Sequence, residues 1–264
     1  MPETAQHRGP RAYVAFVGIG LAAGLLSGMF GVGGGTVIVP LLVLLAGFDQ
    51  RRAAGTSLAA IAPTASIGVI SYATLGQVAW VPAALLAAGA IVGAQIGARL
   101  LPKVSQTALR WAFVGFLLAV IVSLFLVVPS RDAVFEVGWL NGLALLALGL
   151  GTGVVSGLIG VGGGIVVVPF LMLVFGASDL AAKGTSLLMM IPAALSGTFG
   201  NLRTGNVEIL PAVVIGAAAC TTTALGAWLA TIVEPAVGSA LFAVFLLVIA
   251  IQMAIKAARG RRAR

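Results

Sequence analysis

Long apolar runs with brief polar punctuation set the pattern of this chain. Residues 12–48, 53–98, 111–130, 137–178, 184–202, 209–233 and 235–255 contain no Asp, Glu, Lys or Arg. A helix crossing a bilayer needs about 20 apolar residues, so every run holds at least one helix and the longest hold several. Glycines, prolines and weakly polar residues divide the first half into segments at 12–30, 36–47, 54–75, 79–101 and 107–128. The second half divides at 138–159, 165–176, 184–201, 208–230 and 235–256. The second segment of each half is only about 18 Å long as a helix, against a hydrocarbon core of about 30 Å. Each short segment is therefore expected to be one arm of a hairpin that enters the membrane, breaks and returns.

The break falls on "GVGGG", at Gly31–Gly35 and again at Gly160–Gly164. Without gaps, residues 28–97 match residues 157–226 at 27 of 70 positions, an offset of 129. The matches include structure-setting residues: Pro40 and Pro169, Gly55-Thr56-Ser57 and Gly184-Thr185-Ser186, Pro63 and Pro192, Pro82 and Pro211. This is an internal duplication. The expected boundaries are an N-terminal tail at 1–11, a first repeat at 12–128, a linker at 129–137, a second repeat at 138–256 and a basic tail at 257–264. The expected fold is an all-α polytopic membrane protein with two inverted-topology repeats. Each holds a Gly-interrupted helix pair and three transmembrane helices.

Charge supplies the orientation. If each interrupted pair returns to its starting side, 13 of the 15 Lys and Arg share one face, leaving Arg131 and Lys183 opposite. Positive residues concentrate in the cytoplasm, so both termini are expected there. An odd number of crossings per half then inverts the second repeat. Trp80, Trp111, Trp139 and Trp228 fall near segment ends, where aromatic belts form.

Composition agrees, with 60% hydrophobic residues, 8% charged and a mean hydropathy of +1.15. The net charge of +8 reflects the "KAARGRRAR" tail, suited to lipid headgroups rather than nucleic acid. One Cys and one His exclude an intrachain disulfide and leave almost no material for a Cys/His metal site. No metal or cofactor is expected. The N-terminal apolar stretch lacks a convincing cleavage site and is expected to be retained.

Irregular backbone in a membrane survives only where protein or a water-filled cavity shelters it. Successive glycine N–H groups form a concave nest for an anion, and the helix that follows adds its positive dipole end. Gly33, Gly34, Gly35, Gly162, Gly163 and Gly164 are accordingly candidate substrate contacts near the midplane. Close helix packing is the competing reading, and it suffices for Gly89, Gly93 and Gly97. No Lys-Ser/Thr follows the glycines, so a nucleotide-binding loop is excluded. Thr56, Ser57, Thr185 and Ser186 open the third segments, where hydroxyls cap a helix or donate to an oxyanion. Lys183 either attracts anions or snorkels to the interface. Asn201 and Arg203 occupy positions where the halves differ, aligning with Tyr72 and Thr74. Asp49, Asp179, Glu208 and Glu234 are expected to be solvated at segment ends. Cys220, Met189 and Met190 read as packing.

The paired "G-x-x-x-G-V-G-G-G-x-x-x-V-P" motifs, each followed by "G-T-S", resemble the TauE/SafE sulfite exporter family over residues 12–256. The resemblance implies a prokaryotic cytoplasmic-membrane transporter of sulfite, sulfonates or related anions. Alternating access at a site between the repeats is the expected mechanism; an anion channel and a carrier of a non-sulfur anion are the alternatives. The expected partners are a small anionic solute and the lipid bilayer, with homodimerisation left open. An enzyme would need buried catalytic groups that this sequence lacks.

Overall fold

The computed structural model describes residues 10–126 and 139–262, so the linker expected at 129–137, with Arg131, lies outside the described residues, as does His7. The described residues form ten α-helices, with one 3₁₀ turn at Leu101–Lys103. In the first half they are α1 (Pro10–Phe30), α2 (Gly35–Leu45), α3 (Gln50–Thr74), α4 (Trp80–Leu100) and α5 (Gln106–Leu126). In the second they are α6 (Trp139–Ile159), α7 (Gly164–Leu173), α8 (Asp179–Arg203), α9 (Ile209–Ile232) and α10 (Pro235–Arg262). Seven are long and apolar enough to cross a membrane, among them α1, α3, α4 and α6. This is an all-helical, multi-pass membrane protein. Its outward side chains are apolar, including Val14, Phe125 and Leu143, because their solvent is lipid. Trp80, Trp111 and Trp228 are also exposed.

α2 is the returning arm of a hairpin. Gly34 packs on Ala23 of α1, and Phe48, just beyond α2, meets Phe16 of α1 edge-on at 6.3 Å. In the second half Gly163 packs likewise on Thr152 of α6. α2 therefore folds back along α1.

Glycine lets the long helices touch backbone to backbone. A β-carbon at Gly20, Gly24 or Gly28 of α1 would collide with the carbonyls of Ile215, Ala219 and Thr223 in α9. Shifting every residue by the repeat offset gives Gly149, Gly153 and Gly157 of α6 against Leu86, Ala90 and Ala94 of α4, and those contacts are present too. Gly89, Gly93 and Gly97 face carbonyls of α6 in the same way, so close packing accounts for them.

α3 and α8, equivalent by sequence, run antiparallel through the centre. Gly55 meets Asn206, Gly68 meets Leu187 and Leu58 meets Gly197, so one index rises as the other falls. Both helices begin earlier than expected. Asp49 caps α3 by accepting from the N–H groups of Arg51 and Arg52, and Ser178 caps α8 by accepting from Ala181. The expectation that the Gly-Thr-Ser hydroxyls cap these helices is thereby corrected: they lie about two turns inside.

Candidate functional site

Both chain breaks run through left-handed glycines: Gly31, Gly33 and Gly34 at φ 68°, 72° and 75°, and Gly160, Gly162 and Gly163 at 81°, 84° and 82°. Side chains rarely adopt such angles, which explains the clustered glycine. Gly34 and Gly163 are the N-cap residues of α2 and α7, and no side chain caps either helix. The first N–H groups of an α-helix have no intrahelical acceptor. Two buried N-termini therefore carry donors and a positive dipole end without a side-chain cap among the described residues.

The two tips touch. A β-carbon on Gly35 would lie 2.6 Å from Val161 Cα, and one on Gly164 would lie 2.7 Å from the Gly31 carbonyl oxygen. Gly31–Gly35 and Gly160–Gly164 are all buried. Ile61 and Met190, another equivalent pair, fill the space against them, with both side chains reaching Gly33 and Gly162. Met190, read from sequence as packing, thus packs at the junction itself.

Gly-Thr-Ser joins one half to the other. Ser57 Oγ donates to the Gly160 carbonyl at 2.8 Å, and Ser186 Oγ donates to that of Gly31 at 3.0 Å. Thr56 Oγ1 accepts from Glu208 N–H and Thr185 Oγ1 from Ala79 N–H, each at 3.0 Å. The serines and threonines hold the opposite half's tip and following loop in place. Their protons or lone pairs are already engaged by backbone.

Beside the junction lies a narrow recess of about 50 Å³. Val32 and Ile165 line it next to the tips; Glu234 and Ser239 line it further out, and Asp179 and Lys183 join its wall. Lys183 Nζ lies 2.8 Å from Asp179 Oδ2, and the side chains are only 9% and 6% exposed. Two expectations change here. Lys183 does not snorkel, and Asp179 is not solvated, because the first turns of α8 are enclosed by α3, α7 and the Gly31 tip. The Lys183 backbone itself packs on Gly31.

Tyr72 is fully buried and donates to the free Gly28 carbonyl at the end of α1, at 2.7 Å. Its counterpart Asn201 is equally buried, but its Nδ2 donates to Gly197 within its own helix, at 2.9 Å. Arg203 is exposed and lies over the Phe199 ring, 4.1 Å from its centre. Asn201 and Arg203 are thus separate from the glycine junction in character: one braces α8 and the other faces outward. Ile61 escaped sequence reasoning, and Asp179 and Met190 were noted there without a place at the junction. The i, i+4 spacing of Asp179 and Lys183 was the available signal for the ion pair.

The family model described as Sulfite exporter TauE/SafE matches residues 2–124 and 145–264. Among curated proteins, the chain is 29% identical over 198 residues to "Probable membrane transporter protein YdhB" of Bacillus subtilis, covering 73% of this chain and 81% of that one. It is 29% identical over 257 residues to a "Probable membrane transporter protein" of Haemophilus influenzae, covering 90% and 96%. "Sulfite exporter TauE/SafE family protein 1" of Arabidopsis thaliana is 30% identical over 117 residues, covering 44% and 26%. No solved structure matches the chain.

Proposed function

The chain belongs to the sulfite exporter TauE/SafE family of membrane transporters, and from that premise we propose that it carries a small sulfur-containing oxyanion, sulfite or an organosulfonate, by alternating access between its two halves. The observation that supports this is the meeting of two uncapped helix N-termini in the protein interior, beside a recess holding Lys183. The site reading takes the N–H groups at Gly33–Gly35 and Gly162–Gly164 as the contacts. Thr56, Ser57, Thr185 and Ser186 fix the geometry of the tips.

Magnitudes suit a carrier. A helix N-terminus gives an anion about 0.3–1 kcal/mol, rising to about 2 kcal/mol where partly buried. Two such termini supply at most about 4 kcal/mol, which corresponds to a Kd of about 1 mM. Binding of that order lets the solute leave again. Lys183 sharpens selection for negative charge without providing a permanent trap, because Asp179 already competes for it.

The antiparallel α3 and α8 support reading the halves as inverted repeats, with a route to the tips from either face. The distribution of Lys and Arg supports placing both termini on the cytoplasmic side, and the similarity to Bacillus subtilis and Haemophilus influenzae proteins supports a prokaryotic cytoplasmic membrane.

Purified protein should gain thermal stability with sulfite, sulfoacetate or taurine, since a ligand that binds only the folded state raises its apparent stability. Proteoliposomes should show saturable exchange of the same anion. Stabilisation by carboxylates or cations alone would remove the sulfur-anion assignment, and single-channel currents would replace the carrier with a channel.

A further inference from the structure

The recess beside Lys183 has a sequence counterpart. Shifting Val32, Asp179, Lys183, Ala230, Gly238 and Phe242 by the repeat offset gives Val161, Gln50, Ala54, Leu101, Leu109 and Phe113. These residues are all buried, at 2% exposure or less. Ala54, Leu101 and Leu109 pack together as a small hydrophobic cluster, with Val104 and Leu158 against it. One arrangement is open and its equivalent is collapsed.

The collapsed side retains an unusual number of buried polar atoms without partners. Gln50 is fully buried, yet neither its Nε2 nor its Oε1 has a hydrogen-bond partner. Thr36 Oγ1, Gln106 Oε1 and Arg110 Nε are likewise buried and unpaired. Gln50, Thr36, Gln106 and Arg110 are the counterparts of Asp179, Ile165, Pro235 and Ser239, which line the open recess. An unsatisfied buried polar group costs about 1–3 kcal/mol and calls for a compensating state.

A latch holds this side shut. The Arg51 guanidinium donates to the Val104 carbonyl, and Gln106 Nε2 donates to Asp49 Oδ1 at 3.1 Å. The counterparts of Arg51 and Gln106 are Leu180 and Pro235, which have no side-chain donors. The open side therefore cannot form the same latch.

We propose that the chain has a second vestibule, closed in this structure, in which Thr36, Gln50, Gln106 and Arg110 receive the same small oxyanion from the opposite membrane face. The inference rests on the alternating-access reading above. Opening would wet the unpaired amides and hydroxyl and present the Arg110 guanidinium, whose planar donors match an oxyanion. The two vestibules differ chemically. One offers an ammonium already held by a carboxylate, and the other offers neutral amides and a guanidinium.

Cysteine accessibility tests this in the full chain, with Cys220→Ser removing the only native thiol. Gly238→Cys and Leu109→Cys are placed separately and reconstituted into vesicles of one orientation. A membrane-impermeant methanethiosulfonate is then applied to each face. Space exists at Gly238, where a β-carbon meets nothing closer than 3.6 Å. Gly238→Cys should react from one face. Leu109→Cys should react more slowly and only from the other. Adding Arg51→Leu should raise the Leu109→Cys rate at least several-fold and lower that of Gly238→Cys. If Leu109→Cys compromises folding, Ala54→Cys, at a fully buried position of the same cluster, is read by the same criteria.

A thiol that stays silent in both latch backgrounds, yet reacts after denaturation, overturns the second vestibule; so does reaction from the same face as Gly238→Cys. Sulfite exchange measured in the same vesicles separates the two readings. Exchange with a silent Leu109→Cys removes the vestibule alone. Opposite-face labelling without exchange of any sulfur anion keeps the vestibule and removes the substrate assignment.

Discussion

Lys183 and Asp179 show how burial changes the meaning of charge. Removing Lys183 should be costly, because it leaves the Asp179 carboxylate enclosed without its cation. Lys183→Ala is expected to destabilise the protein by about 3–5 kcal/mol, measured by denaturant unfolding in detergent. Removing both, as Lys183→Ala with Asp179→Ala, should restore most of that loss while weakening oxyanion binding at least tenfold. Equal instability of the double variant would mean that packing rather than charge holds this turn of α8. The spacing of the pair was legible in sequence, since residues four apart share a helix face. Its burial was not, because the surrounding atoms come from Gly31 and other distant parts of the chain.

At the scale of the helix, glycine serves two distinct purposes, and one substitution can tell them apart. Gly24 of α1 faces the Ala219 carbonyl, whereas no atom lies within 4 Å of where a β-carbon of Gly18 would be. Gly24→Ala should force α1 away from α9 and cost about 1–3 kcal/mol, as overpacking does. Gly18→Ala should leave the melting temperature unchanged or slightly raised, because Ala favours helix by up to about 1 kcal/mol. Comparable losses from both would show that contact with α9 is not what sets the cost of a side chain in α1. Chain breaks were readable at this scale because left-handed angles leave a glycine signature. Cap positions were less so: α3 and α8 gained an extra turn and more before Gly-Thr-Ser, supplied by Asp49 and Ser178.

For the whole molecule, the junction depends on reciprocal bonds between halves. Ser57→Ala leaves the Gly160 carbonyl without that donor, and Ser186→Ala does the same to Gly31. Each is expected to lower stability by about 1–3 kcal/mol in thermal melts, with similar magnitudes because the environments are equivalent. A loss confined to one serine would show that only one half relies on the bond. Near-symmetry of this kind also makes departures informative. Ala54 stands where the other half has Lys183, and Gln50 where it has Asp179. The recess is open where the charged pair stands, and packed where the neutral pair stands.

Hydrophobic run length and repeated glycines by themselves determined a helical, multi-pass, duplicated chain with two interrupted segments. Those properties follow from local physics: backbone must satisfy its hydrogen bonds internally in lipid, and glycine alone tolerates the turn. Tertiary structure decided which residues meet across 129 positions, so that hydroxyls expected at helix starts became ties between halves. It also enclosed Asp179 and left Gln50 unpaired. Burial and partner choice depend on how separate helices pack, and a one-dimensional pattern records each helix's faces without recording what covers them.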